Sequence, residues 1–383
     1  MIRTHLLAKA SFLVLAVLFV VSTVLSAASV ELQSNDDRPR TGRGLYRMAC
    51  AACHGVDGTG APSSTVGFDT PLPDFTDAEF APREADADWA TVVREGGPAR
   101  GFSEIMPEFG DALTDEETDK ILAHVRTFCP DDDWPRGELN LPRALRTTKA
   151  YPEDELVLAT TFDGQGLGKI SNKLIYEQRL GKRSQYELIL PFGWSEEPDS
   201  SAGKTGWQSS VGDVGLAFKH VVLHSYEAGS IVSLGAEVFF PTGNPDRGFG
   251  ADTTVFEPFL AYGQILPADC FVQFHTGLVL PFQDDNAEEE VFWRCALGRT
   301  FTTGRYGRAW TPMVEFTGAE AMASGSTADW DIIPQMQITL STRQHVRLCG
   351  GARIPLNDRD VRDTEYMIYL LWDWFDGAFD EGW

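Results

Sequence analysis

From Leu156 towards the C-terminus the chain carries run after run of alternating apolar and polar side chains, with no helical pattern between them. Twelve runs lie near 155–162, 170–180, 185–192, 212–224, 231–241, 254–266, 270–280, 289–301, 309–318, 330–340, 345–355 and 364–374, cut apart by Gly, Pro, Asn and Asp. The connections alternate in length. Those near 163–169, 193–211, 242–253, 281–288, 319–329 and 356–363 are mostly longer; those near 181–184, 225–230, 267–269, 302–308 and 341–344 are mostly shorter. An even number of strands joined this way describes an antiparallel barrel with both ends on the short-turn side, and strands of this length cross a bilayer.

Val232, Leu234, Ala236, Val238 and Phe240 share one strand face, opposite Ser233, Gly235 and Glu237. Val272, Phe274, Leu278 and Leu280 oppose Gln273, His275 and Gly277, and Trp330, Ile332, Met336, Ile338 and Leu340 oppose Asp331, Gln335, Gln337 and Thr339. The last run bears Tyr366, Ile368, Leu370, Trp372 and Trp374 on one face. The polar faces bring together Lys173, Glu177, Arg179, Glu187, Lys219, Glu237, Glu257, Arg294, Glu315, Arg347 and Arg353, whose opposite signs would pair across an interior. Alternation alone does not say which face points inward. Apolar faces turned in make a soluble β-sandwich or barrel; apolar faces turned out make a barrel in lipid, where closure is obligatory because hydrocarbon offers an open edge no partner. Strand length, aromatics near strand ends and the terminal Trp383 favour the lipid reading.

The N-terminus agrees. Arg3 and Lys9 accompany the apolar run Ser11–Leu25, and Ser26-Ala27-Ala28 supplies small residues for cleavage, so 1–28 reads as a signal peptide. The alternative is an uncleaved anchor of membrane-spanning length. Export points to the periplasm and outer membrane, with outer-membrane lipid as one partner. The net charge of −24 excludes a nucleic-acid partner, because phosphate would be repelled.

Ahead of the strands stands Cys50-Ala51-Ala52-Cys53-His54. Two cysteines three apart on a helical turn offer both sulfurs to the two vinyl carbons of one porphyrin edge, and the adjoining imidazole then points at the iron. The motif therefore calls for one covalent c-type haem (heme c), with Cys50, Cys53 and His54 holding it. Met106, in a loop kept extended by Pro107 and Gly110, is the candidate for the sixth ligand; His124 on a later helix is its rival, and Met48 shares the thiols' helix and cannot reach the other side. Helices are expected over Gly42–Cys53 and Asp88–Glu95, the second ended by Gly96-Gly97. A third follows Thr114 with Glu117 as a capping box, has Ile121, Leu122, Val125 and Phe128 at helical spacing, and stops at Pro130. Cys129, Cys270, Cys295 and Cys349 show no disulfide pattern, although a Cys129–Cys270 bridge is conceivable.

These motifs carry a resemblance. Gly42-Arg43-Gly44-Leu45-Tyr46 before the CxxCH, then Arg94-Glu95-Gly96-Gly97-Pro98, then Met106-Pro107-Glu108-Phe109-Gly110 leading to Leu113-Thr114-Asp115-Glu116-Glu117, are similar to a class I monohaem cytochrome c over residues 41–128. The resemblance implies an all-α fold, His54 and Met106 as axial ligands, and a six-coordinate iron used for electron transfer with a periplasmic redox partner protein. Pro241-Thr242-Gly243-Asn244-Pro245 and the segment after it resemble transporter-type outer-membrane barrels of aromatic-degradation pathways.

The chain thus divides into a signal peptide (1–28), an all-α cytochrome c domain (38–130), a linker (131–153) and an all-β antiparallel barrel domain (154–375). Pro130, Pro135, Pro142 and Pro152 break regular structure and mark the linker as a connector, in which Asp131-Asp132-Asp133 is solvated. Placed on the short-turn side, the cytochrome sits at the periplasmic mouth, and the acidic runs Glu196-Glu197 and Asp284–Glu290 fall in outward loops. Two functions compete: electron transfer at that mouth, or outer-membrane transport with the haem as redox sensor or accessory. Catalysis beyond electron transfer is not expected, because a dihaem peroxidase needs a second CxxCH.

Overall fold

The computed structural model describes residues 41–163, 168–199, 204–283, 287–303 and 308–374; the leader, the acidic stretch 284–286 and Trp383 lie outside them. The N-terminal part holds α1 (Gly42–Ala49), α2 (Ala51–His54), α3 (Ser63–Val66), α4 (Asp86–Glu95) and α5 (Asp115–Arg126). The expected first helix is two segments meeting at Cys50, where φ is −114°, although the Cys50 N–H still donates to the Tyr46 carbonyl. Thr114 and Glu117 form the capping box that starts α5, each side chain accepting from the other's backbone N–H. Leu45 and Tyr46 of α1 bury against Ile121 and Val125 of α5, with Phe75, Trp89 and Leu113 packed around them. The two helices cross so closely that a Cβ on Gly42 would stand 1.9 Å from the Lys120 carbonyl oxygen.

The C-terminal part holds β1 (Glu155–Asp163), β2 (Lys169–Leu180), β3 (Ser184–Asp199), β4 (Lys204–Val211), β5 (Val214–Ser225), β6 (Ser230–Phe240), β7 (Val255–Leu266), β8 (Cys270–Pro281), β9 (Glu290–Arg299), β10 (Phe301–Thr303), β11 (Arg308–Ala321), β12 (Asp329–Thr339), β13 (Val346–Pro355) and β14 (Glu365–Asp373). Each of twelve strands pairs antiparallel with the next, β3 passing to β5 and β9 to β11, and β14 returns to β1, so the sheet closes. The two remaining strands were not legible in the alternation. Among the described residues β4 pairs only with β3, beyond the wall, so Glu196 and Glu197 lie in a paired strand opposite Trp207 and Gly206 rather than in a loop. Among the same residues β10 pairs only with the start of β11.

The apolar faces point out. Leu234 is 49% exposed, Trp330 41%, Met336 41% and Leu370 45%, whereas Ser233, Gln273, Glu315 and Gln335 are buried. Outward aromatics gather towards both rims. Phe162, Trp194 and Tyr366 lie near the long-loop end, and Trp293 meets Trp330 edge-on at 5.2 Å there. Tyr176, Tyr186 and Trp374 cluster at the short-turn end.

The inward charges do not simply pair across a lumen, because the chain itself enters the lumen's short-turn part. The segment 139–154, read from sequence up to residue 153 as part of a connector, enters at the short-turn end, reaches the level of Glu315 and returns to begin β1. Leu139, Ala150 and Tyr151 pack on Val221, Ile231, Phe259, Ala261 and Phe292, and Leu141 and Ala144 pack on Val157, Phe271, Met313 and Leu371. An irregular backbone there must find partners for its peptide groups, and inward side chains supply them. Gln273 donates to the Pro142 carbonyl (2.8 Å), Tyr369 to that of Arg143 (2.5 Å), Arg294 to that of Arg146 (2.9 Å), Lys219 to that of Lys149 (2.8 Å) and Ser233 to that of Ala150 (2.5 Å). Gln335 accepts from the Leu145 N–H (3.0 Å) and Gln185 from the Glu153 N–H (2.7 Å). Arg143 is held between Glu155 and Glu177, and Lys149 between Glu153 and Glu155. The prolines forbid regular structure, as composition indicates. What composition hides is that these charged residues have buried partners waiting on the wall.

Candidate functional site

Cys50, Cys53 and His54 lie within one turn. The His54 N–H donates to the Cys50 carbonyl at 2.9 Å, and Gly55, at φ +76°, ends the helix immediately after the imidazole. The following loop folds back, its Gly60 N–H donating to the His54 carbonyl and its Ala61 N–H to that of Cys53 (3.0 and 2.7 Å). The buried Tyr46 hydroxyl donates to the Gly55 carbonyl at 2.8 Å and so fixes the turn from below.

The donor set fits a haem. Both cysteines are free thiols. Burial pushes the Cys50 thiol up to about 11, which keeps it protonated at neutral pH. Burial also holds the His54 imidazole below its ordinary value. It is therefore neutral at pH 7, the form whose ring nitrogen binds metal. Its Nδ1 is buried without a hydrogen-bond partner, and its ring lies 5.2 Å from that of Phe75.

Met106 stands on a separate loop. Its carbonyl accepts from the Gly97 N–H at 3.0 Å and its N–H donates to Ser103 at 3.2 Å, while Phe109 and Gly110 anchor the loop's far side to Val93 and Arg94. Gly97 permits this approach, since a Cβ there would stand 2.2 Å from the Ser103 carbonyl oxygen. His124 is engaged elsewhere. Its ring packs edge-on against Tyr46 (5.4 Å) and Phe128 (5.0 Å), and burial together with the nearby Arg43 lowers its pKa. Cys129, Cys270, Cys295 and Cys349 are free, so the conceivable Cys129–Cys270 bridge is not formed.

The helical part docks on the short-turn end of the barrel. Arg83 pairs with Asp154, Lys182 with Asp131 (2.7 Å) and Arg183 with Asp133 (3.3 Å), and the Gly137 N–H donates to the Pro82 carbonyl (2.8 Å). Arg126 ties the helices to this junction, bonding Asp86 and the Glu84 carbonyl while its guanidinium lies 4.0 Å over the Trp89 ring. The threaded segment escaped the sequence reading. The signal that marks it is its apolar content, Leu139, Leu141, Leu145 and Tyr151, which a solvated linker would lack.

Residues 37–125 match the family model described as cytochrome c oxidase, cbb3-type, subunit III, which implies haem binding. No curated protein matches the chain. Among solved structures, an outer-membrane channel from Pseudomonas putida F1 aligns at 14% identity and TM-score 0.42, over 61% of this chain and all of that one. The NanC porin aligns at 8% identity and TM-score 0.41, covering 57% of this chain and 100% of its own, and the KdgM porin at 10% and 0.37, covering 57% and 99%. Residues 37–125 are thus a cytochrome c domain, followed by a closed twelve-strand antiparallel barrel.

Proposed function

We propose that this chain transfers electrons one at a time through a single haem, bound covalently by Cys50 and Cys53 with His54 and Met106 as axial ligands, at the periplasmic mouth of an outer-membrane barrel. The observation that carries the reading is a cytochrome c domain with its thiols and imidazole on one turn, docked at the end where the short turns lie. A haem bound there supplies reversible one-electron exchange at its iron. The protein's residues do the rest. Two thioethers fix one porphyrin edge, His54 presents a neutral nitrogen, and Met106 offers a soft sulfur that favours the ferrous state and raises the potential. The engagement of His124 with Tyr46 and Phe128 supports Met106 as the sixth ligand. If His54 and Met106 both bind the iron, no position on it would stay open for a substrate, in keeping with a carrier rather than an enzyme.

The apolar exterior and partly filled, polar-lined interior support membrane residence, since a soluble barrel would bury those faces. The threaded segment weighs against the transport reading, because it occupies the lumen from the short-turn end to the level of Glu315. The barrel then serves as the anchor that holds the haem at the membrane.

Redox titration of the full chain in detergent tests the reading. One haem per chain, a one-electron Nernst slope and a low-spin spectrum in both states are expected. A high-spin, five-coordinate ferric haem that turns over peroxide would overturn it.

A further inference from the structure

The loop that bears Met106 is braced by the barrel. We propose that Arg343 and Gln344, in the turn between β12 and β13, are positioning residues that hold this loop in place and thereby set how firmly Met106 stays on the iron. The inference rests on the reading of Met106 as axial ligand.

Gln344 has φ +66°, a left-handed conformation that tight turns use and that is costly for a residue with a Cβ. The strained residue is the one that reaches the cytochrome, where its Nε2 donates to Asp88 Oδ1 at 3.3 Å. The same oxygen is gripped by Arg100, through Nε at 3.0 Å and its terminal nitrogen at 2.9 Å. Arg100 is buried and also donates to the Thr91 hydroxyl at 3.2 Å, which fixes the short 3₁₀ turn Gly97–Arg100 on α4. Gly97 of that turn donates to the Met106 carbonyl, and Phe102 donates back to the Gly97 carbonyl, each at 3.0 Å.

Arg343 closes the arrangement from the other side. Its guanidinium lies 4.9 Å from the centre of the Phe102 ring, and its Cγ would be 3.4 Å from a Cβ on Gly101. The barrel thus touches the cytochrome on both flanks of 97–102, the segment on which the Met106 loop is hung. A free loop of this kind opens locally at low cost, and contacts to a rigid sheet raise that cost. Among the other docking contacts, Lys182 with Asp131 and Arg183 with Asp133 fall on the linker and leave this segment alone.

The test compares three full-length holoproteins in detergent: the native chain, Arg343→Ala with Gln344→Gly, and Lys182→Ala with Arg183→Ala. Glycine keeps the turn's positive φ while removing the amide. Heat-modifiable gel migration checks that each barrel is folded. Two readouts follow: amide exchange across 97–110, and the imidazole concentration that abolishes the sulfur-to-iron charge-transfer band at the red end of the ferric spectrum. In the Arg343/Gln344 variant the Gly97 and Phe102 amides should exchange about tenfold faster and imidazole should displace the thioether at about tenfold lower concentration. The Lys182/Arg183 variant should match the native chain, and Arg343→Lys alone should keep the native affinity. Equal behaviour of all proteins, or equal loosening in both double variants, would overturn the proposal. Faster exchange with no charge-transfer band in the native chain would show that the brace exists but that Met106 is not the ligand, which overturns the ligand role by itself.

Discussion

Glu315 on the barrel wall and Thr147 at the inner end of the threaded segment are joined twice, the carboxylate accepting from the Thr147 N–H at 2.8 Å and from its hydroxyl at 2.7 Å. The same carboxylate accepts from the Arg146 N–H at 3.1 Å and from the Gln335 amide at 2.6 Å. One buried side chain thus terminates the segment's path into the lumen.

Replacing it with Glu315→Ala would leave these donors buried and unpaired. Each unsatisfied group costs about 1–3 kcal/mol, so a loss of about 3 kcal/mol or more is expected. The segment should then leave its seat part of the time. In planar bilayers the native chain should be nearly silent and the variant should show stepwise conductance, with the heat-modifiable band lost at a lower temperature. Equal conductance in both would mean that this segment does not seal the barrel.

The crossing of α1 and α5 predicts a steric effect. In Gly42→Ala the added carbon would stand 1.9 Å from the Lys120 carbonyl oxygen, so the helices must part. Overpacking of this kind costs about 1–3 kcal/mol. Thermal unfolding followed in the haem absorption should shift down while the barrel's heat-modifiability stays put.

A pH effect follows from His124. Its folded pKa lies below the ordinary value of about 6.5, so the unfolded chain takes up the proton first as pH falls. The folded state therefore keeps its full stability above that value and loses some as pH drops through it towards the lower folded pKa. His124→Phe preserves the ring contacts with Tyr46 and Phe128 and should flatten the fall in urea midpoint between about pH 7 and 5. An unchanged slope would assign the dependence to another group.

Much of this was legible in the sequence, and the limits have physical causes. The ends of β2, β5, β7, β12 and β14 fall within about two residues of the alternation, because a wall with one face in each environment enforces a period of two. The capping box at Thr114 was readable because its partners are three residues apart. The inside–outside choice was not legible in the period of two, which is the same either way, but strand length and aromatics near strand ends pointed to the face that the structure turns outward. Not legible was the seat of Arg143 and Lys149, which share the wall carboxylate Glu155 and whose burial depends on a closed barrel. The brace at Gln344 was hidden for the same reason, its partner Asp88 being far away along the chain.

The proposed sixth ligand has its own signature. Met106→Ala should abolish the charge-transfer band and lower the reduction potential, because a thioether stabilises ferrous iron. Cys50, Cys53 and His54 should keep the haem attached. A native spectrum and potential in the variant would place the ligand elsewhere.

The most direct test of the central claim is haem staining of fractionated cells on a denaturing gel, with the full chain expressed beside a working haem-maturation system. The stain should stay with the boiled polypeptide, lie in the outer-membrane fraction, and vanish when Cys50 and Cys53 are both changed to alanine. A colourless polypeptide, or a stained one recovered wholly in the soluble fraction, would contradict the account.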